Sequence, residues 1–305
     1  MNGRRANFLL RGLGLAAALA LAAPSPLSAA EEVTFAAARV PPSQLRLRLA
    51  KAQGVTLKPE PGQPLRGRLV RPAGQGPFPA VVLLHGCAGL EPYLDAWAGA
   101  LAAWGYLALA VDSFGPRGLA EVCSLPEGEA DPGDLVMDAF GAFAYLRGLN
   151  EVDPERIGVI GWDLGATRAL AAVRETGPQE DFQGGFRAAV AFYPACLRTG
   201  NRFTAPVLTL IGEADDWTPA GRCRLFVEAS QGGPNPVTLT VYPGATHFFD
   251  NPRYGAGFHY AAAVNLEKTP PRGAFLAYDA AAHDAALRRV EAFLAMHLGA
   301  PRTPP

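Results

Sequence analysis

Residues Gly161-Trp162-Asp163-Leu164-Gly165 have the spacing G-x-Nu-x-G, with an aspartate at the central position. In such a bend a strand turns sharply into a helix, flanking glycines avoid clashes, and the middle side chain is thrust above the sheet. Three other segments end expected strands with polar or Gly-rich sequence: His85-Gly86-Cys87-Ala88-Gly89, Gly212-Glu213-Ala214-Asp215-Asp216 and Gly244-Ala245-Thr246-His247. Elbow residue, acid and histidine, in that chain order, are what a doubly wound sheet needs to assemble a triad. Asp163, Asp215 and His247 are therefore the candidate catalytic residues. The backbone N–H groups of Cys87 and Leu164 are the candidate oxyanion hole.

An acid at the elbow changes the chemistry. A serine or thiolate attacks an acyl carbon and leaves an ester or thioester that water can cleave. A carboxylate attacking the same carbon would leave a mixed anhydride. It titrates near ~4 in water and needs no base to ionise. With Asp215 it would place two carboxylates around one imidazole and tend to hold that ring charged. A cationic imidazole cannot serve as general base. An ionised Asp163 would also satisfy the Cys87 and Leu164 donors with its own oxygens.

Other polar and aromatic positions have simpler explanations. His85, at the end of a buried run, is expected to hold its loop by hydrogen bonds. Asp216 competes with Asp215 as the acid, and the spacing from Gly212 to Pro219 favours Asp215, with Asp216 capping the loop. Trp162 and Trp217 are first of all packing residues. Phe248 and Phe249 could line an apolar pocket or cover the sheet end. The segment 252–275 could form a small lid or a loop. His259, His283 and His297 are assigned no role.

The elements that must position the candidates alternate strictly. Residues 80–84 form a continuous apolar run between Pro79 and Gly86, the mark of a strand buried on both faces. Runs at 106–111, 157–162, 188–193 and 207–211 read the same way, and 237–242 reads as the last strand. Helical spacing is found at 93–104, 135–146, 164–174, 220–229 and 280–298. Residues 65–70 suit an early edge strand. Strands taking turns with helices over short connections demand a parallel sheet covered on both faces, in an α/β architecture. No internal repeat or linker divides the segment 64–300, which is read as one domain. Residues 31–63 read as an N-terminal arm with one short helix.

These motifs resemble the dienelactone hydrolase family, and its exported members most. The resemblance is carried by Val81-Val82-Leu83-Leu84-His85-Gly86-Cys87-Ala88-Gly89-Leu90, Val111-Asp112-Ser113-Phe114-Gly115-Pro116-Arg117-Gly118, Gly212-Glu213-Ala214-Asp215-Asp216-Trp217-Thr218-Pro219 and Tyr242-Pro243-Gly244-Ala245-Thr246-His247. It implies an α/β-hydrolase fold without a cap domain, and hydrolysis of small esters or lactones without metal or organic cofactor. It places the family's nucleophile on Asp163, its acid on Asp215 and its base on His247. The chain departs from the family at the elbow, where Cys or Ser is usual, and at Ala166, where a glycine is. Three readings follow. Asp163 attacks saturated carbon, as in haloalkane dehalogenases and epoxide hydrolases; it activates water, with Ser113 or Cys87 as other contributors; or the scaffold binds a ligand without turnover.

Composition narrows the alternatives. Of the 305 residues 49% are hydrophobic and 18% charged, enough for a sizeable buried core, and the formal net charge is −1. Lys and Arg form no basic stripe, so a nucleic-acid partner has no support and a small-molecule substrate is expected. Whether the chain is a monomer or a homodimer is not written in the sequence. Arg4 and Arg5 precede an apolar run at 13–23, and Ser28-Ala29-Ala30 offers small residues before a cut at Glu31. Residues 1–30 thus read as an export peptide to the periplasm or beyond, by the Sec route in preference to twin-arginine, with an uncleaved anchor as the alternative. After cleavage no membrane association is expected. In that compartment Cys87, Cys123, Cys196 and Cys223 permit two disulfides, and local proximity favours Cys87–Cys123 and Cys196–Cys223 over buried free thiols.

Overall fold

The computed structural model describes residues 29–39, 42–57, 62–126, 129, 133–177, 182, 184–196 and 202–299. The segment expected to be an export peptide lies outside the described residues, apart from Ala29 and Ala30 at its end. The apolar runs become the strands of one eight-stranded sheet: β1 (Glu31–Ala36), β2 (Pro64–Val70), β3 (Phe78–Leu84), β4 (Leu107–Asp112), β5 (Val152–Trp162), β6 (Ala189–Phe192), β7 (Val207–Gly212) and β8 (Val237–Tyr242). Their spatial order is β1-β2-β4-β3-β5-β6-β7-β8. The six strands from β4 to β8 in this order run parallel, and only β1 and β2 run antiparallel to their neighbours.

The helices are α1 (Gln44–Ala52), α2 (Tyr93–Ala103), α3 (Leu135–Arg147), α4 (Leu164–Ala172), α5 (Ala220–Ala229) and α6 (Ala280–Leu298). On one face α3 packs against α4; on another α2 and α6 meet through the Trp97 and His283 rings, 5.8 Å apart. Sheet faces covered on both sides explain why β3 and β7 are apolar without alternation and buried along nearly their whole length. Asp134 caps α3 by accepting from the Val136 and Met137 amides, and Asp279 caps α6 by accepting from the Ala282 amide. Each cap satisfies N–H groups that the helix leaves open.

Two expectations about the architecture change. The arm at 31–63 does contain one short helix, α1, but it begins with a strand. β1 pairs with β2 over six residues, so β2 is not the edge of the sheet. Val33 packs into the core, Phe35 stacks on Tyr145 of α3 at 5.4 Å, and Arg71 ties Glu31 to Glu151. Likewise β8 is the last strand only of the large sheet. Within 252–275 and just beyond, β9 (Phe258–Val264) and β10 (Arg272–Leu276) form a separate antiparallel hairpin.

Both disulfides join the cysteines in the pairing that local proximity favours, Cys87–Cys123 and Cys196–Cys223. The first fastens the loop after β3 to the long loop after β4. That loop in turn holds the hairpin, because the Cys123 carbonyl accepts from the Val264 amide at 2.9 Å. No helix among the described residues is long and apolar enough to cross a membrane.

Candidate active site

Strand β3 is the point where the winding of the sheet reverses, since β4 lies on one side of it and β5 on the other. Ligands of open α/β sheets bind in the crevice at the carboxyl ends of strands beside such a point. His85-Gly86-Cys87 leaves β3 there, and Asp163 leaves β5 there.

The elbow is as tight as its glycines imply. Asp163 has φ 51° and ψ −112°, a left-handed conformation that an L side chain adopts only under strain. A Cβ on Gly161 would lie 2.2 Å from the Gly165 carbonyl oxygen, and one on Gly165 would lie 2.3 Å from that of Leu84. Strand, turn and helix can approach this closely only because those two side chains are missing. The Asp163 amide donates to the Phe192 carbonyl at 3.0 Å, which pins the bend to β6.

Around this bend the three candidate side chains meet. The Cys87 amide donates to Asp163 Oδ2 at 2.8 Å. Asp163 Oδ1 faces His247 Nε2 across 3.6 Å, just beyond a hydrogen bond, and Nε2 has no other partner among the described residues. On its far side His247 Nδ1 donates to Asp215 Oδ2 at 2.8 Å. The structure thus sets Asp215, not Asp216, against the imidazole. Asp216 instead fastens the hairpin, pairing with Lys268 at 2.5 Å and accepting from the Phe275 amide at 3.0 Å. His85 lies apart from the triad: it contacts the Gly86 carbonyl and accepts from the Ser113 amide, the loop-holding role expected of it. No hydrogen bond ties the Leu164 amide to the Asp163 carboxylate; Oδ2 is held by Cys87.

Three residues that the motif spacing does not single out complete the arrangement. Thr218 donates its hydroxyl near Asp215 Oδ2 at 3.0 Å, and its amide, with that of Trp217, donates to Asp215 Oδ1 at 2.8 and 2.9 Å. Tyr193, at the end of β6, places its ring 4.5 Å from that of His247. Asp250, fully buried, accepts from Tyr193 Oη at 2.7 Å and from both Trp97 Nε1 and Trp162 Nε1 at 2.8 Å. Burial pushes the Asp250 pKa up while those three donors pull it down, and the net shift is upward.

His247 is fully buried. Burial alone would lower its pKa, but Asp215 and then Asp163 outweigh that and raise it from 6.5 to about 9. The resting site at neutral pH is therefore a carboxylate facing an imidazolium. A folded-state pKa above the unfolded one stabilises the protein fully below about 6.5, and this contribution disappears as pH rises through about 9. The full effect is about 3 kcal/mol. Chemical denaturation at pH 6 and pH 10 should show wild type losing stability across that window. In Asp163→Asn, which lacks one of the two charges, the loss should end at lower pH. Equal profiles for the two proteins would mean that Asp163 does not hold the imidazole charged.

A cavity of about 380 Å³ adjoins the triad, lined by Ala88, Phe248, Arg253, Tyr254, Phe258 and Tyr260 among others. Ala88 follows the Cys87 amide that holds Asp163, and the Phe248 ring lies 4.8 Å from that of His247, so two lining residues connect the cavity to the triad. Of the two Phe after the histidine, Phe248 lines this cavity and Phe249 packs in the core. Among the described residues no cluster of His, Cys, Asp or Glu is arranged to hold a metal ion.

Known proteins share this architecture. A Bradyrhizobium protein that bears the name "Probable 2-oxo-3-(5-oxofuran-2-ylidene)propanoate lactonase" is 29% identical over 199 residues, covering 59% of this chain and 77% of its own. A dienelactone hydrolase-like promiscuous phosphotriesterase from metagenomic libraries superposes with a TM-score of 0.62 at 20% identity, covering 88% of this chain and 99% of its own. A protein from Klebsiella pneumoniae described as a dienelactone hydrolase gives 0.60 at 19% identity over the same shares. At those identities the two structures speak for the fold. The model of the dienelactone hydrolase family matches residues 65–298, from β2 to the end of α6. Matched over most of its length and built on that fold, the chain belongs to the dienelactone hydrolase family.

Proposed function

We propose that this protein hydrolyses a small ester or lactone through an alkyl-enzyme intermediate on Asp163, with His247 and Asp215 completing the site. The observation that carries the reading is the division of the Asp163 carboxylate: Oδ2 lies on the Cys87 amide while Oδ1 faces His247. In the first step Oδ1 attacks the saturated carbon of the ester; the carbon–oxygen bond breaks and its electron pair leaves with a carboxylate. This step needs only an ionised Asp163 and tolerates a cationic imidazole. Esterification then removes the Asp163 charge that helps raise the His247 pKa, so the pKa falls and the ring can release its proton. In the second step water attacks Asp163 Cγ and gives a proton to His247 Nε2, while the oxyanion forming at Oδ2 takes the Cys87 N–H. Collapse breaks the bond from Cγ to the alkyl oxygen and the leaving alcohol takes the proton back; the second proton of the water, left on the Asp163 carboxyl, passes to His247 Nε2 and restores the carboxylate and the imidazolium. Asp215 stabilises the imidazolium during that interval.

The family and the lactonase name of the Bradyrhizobium relative support an ester or lactone bond as the target. What speaks against direct water activation on a bound acyl group is the Cys87 amide, already engaged by Asp163 and so not free for a substrate carbonyl. The same engagement, with a charged histidine, favours a second reading: a hydrolase scaffold that binds without turnover. Two disulfides suit an oxidising compartment, in keeping with action outside the cytoplasm.

A single turnover of benzyl acetate in heavy-oxygen water separates the readings. Cleavage through Asp163 puts the label in the Asp163 carboxylate and leaves the released acetate unlabelled. Label in acetate, with activity lost in Asp163→Asn, would replace the covalent route by water activation. An inert wild type beside an active Asp163→Ser would make the scaffold reading the correct one.

A further inference from the structure

We infer that the cavity beside the triad is a binding site for a flat, uncharged aromatic group, closed on one side by the β9–β10 hairpin. The inference deepens the functional reading above by naming the substrate class that the same site takes. Five aromatic rings form a closed circuit. Phe248 lies 5.3 Å from Tyr254, Tyr254 lies 6.5 Å from Phe258, and Phe258 lies 6.1 Å from Tyr260. Tyr260 lies 6.2 Å from Trp217, and Trp217 lies 6.4 Å from Phe248. The first four of these rings line the cavity, and successive planes along them are tilted by only 26–33°. Flat walls in rough alignment offer offset stacking to a planar guest, which a puckered one cannot match.

The circuit is joined to the chemistry at two points. His247 is 4.8 Å from Phe248 and 5.0 Å from Trp217, ring to ring. A guest stacked on Phe248 therefore lies one ring from the imidazole. At the outer end Phe258 is 51% exposed, a large apolar surface that a ligand would cover. The hairpin bearing Phe258 and Tyr260 is not loosely attached. Trp217 Nε1 donates to the Val264 carbonyl at 2.9 Å, Asn265 Nδ2 donates to the Asp216 and Gly273 carbonyls, and the Cys123 carbonyl holds the Val264 amide. The wall is thus held to the Asp215 loop and to the Cys87–Cys123 disulfide, both parts of the site. A volume of about 380 Å³ sits within the range of small-molecule sites and suits one ring with a short substituent.

Charge decides between a neutral and a cationic guest. Aromatic enclosures also attract quaternary ammonium groups, and Glu121 lines this cavity. Glu121 is turned to Ser124, accepting from its amide and its hydroxyl. The Arg253 guanidinium, on the same lining, is paired with Glu91, so neither charged group of the lining is left to select a charged guest.

The test uses benzyl alcohol, cyclohexylmethanol and tetramethylammonium as probes, with tryptophan fluorescence titration of the full protein in wild-type and Asp163→Asn forms. Benzyl alcohol should bind about fivefold or more tightly than cyclohexylmethanol, equally to both forms, and Phe258→Ala should weaken it about fivefold. Phe258 is exposed on the hairpin, so its truncation leaves the core intact; Tyr254→Phe, which keeps the ring, should bind benzyl alcohol as wild type does. Equal affinity for the two alcohols, tighter binding of tetramethylammonium, or no effect of Phe258→Ala would overturn the inference. Because binding is read without turnover, an intact aromatic preference beside failed isotope labelling removes only the catalytic reading. Label in Asp163 without that preference removes only this one.

Discussion

In His247→Gln the protein should turn from a catalyst into a trap, gaining one benzyl group on Asp163 from benzyl acetate and then stopping. The two steps of the proposed reaction make different demands on the histidine. Attack by Asp163 Oδ1 requires a carboxylate and no general base. Hydrolysis of the resulting ester requires a nearby base that can accept a proton from water, and His247 Nε2 stands 3.6 Å from Asp163 Oδ1. Glutamine preserves a polar side chain in the buried slot, including a donor toward Asp215, but accepts no proton. Loss of a positioned general base costs about 10²–10⁴ in rate, so turnover should fall by about a thousandfold or more while one equivalent of acetate is still released. Intact mass and peptide mapping would locate the adduct. Water activation by Asp163 forms no adduct, so a slow His247→Gln protein with unchanged mass would eliminate the alkyl-enzyme. A variant with wild-type turnover would remove His247 from the chemistry altogether.

Much of this site could be read from residue types alone, for a physical reason. A strand buried on both faces must be apolar throughout, so β3 and β5 announce themselves, and the polar residues where they stop mark the carboxyl edge of the sheet. The elbow is legible because two close backbone approaches exclude any side chain, at Gly161 and Gly165. Elements with weak signals were harder. β1 carries two glutamates at its start and lies on the sheet edge, where alternation is diluted by exposure. In β9 three consecutive alanines, mostly exposed, hide the strand. Asp215 and Asp216 are neighbours in one turn; the spacing from Gly212 to Pro219 points to Asp215 as the acid, but the pairing of Asp216 with Lys268 is written only in the fold. Asp250 has no motif. Its role depends on three donors from α2, β5 and the end of β6, which are far apart in sequence and cannot be paired by spacing.

Asp250→Ala should be the most destabilising single substitution near the site, at about 4 kcal/mol or more. The aspartate is fully buried, and three buried donors converge on it: Trp97 Nε1 from α2, Trp162 Nε1 from the end of β5 and Tyr193 Oη from the end of β6. Alanine leaves all three buried donors without the acceptor they share, and each orphaned donor costs about 1–3 kcal/mol. For a domain of this size the melting temperature should fall by about 10 °C. Asp250→Asn retains one carbonyl oxygen but turns an NH₂ group toward the other donors, so it should recover only part of the loss. The consequence reaches the chemistry because Trp162 immediately precedes Asp163 and the Tyr193 ring packs on His247. The carboxylate therefore braces the elbow strand and the imidazole from below at once. If Asp250→Ala melts within about 2 °C of wild type, the three donors find other partners and the brace is not needed. If stability falls as expected, the Asp163–His247 separation is maintained by a buried carboxyl group that lies behind the reacting groups and never touches them.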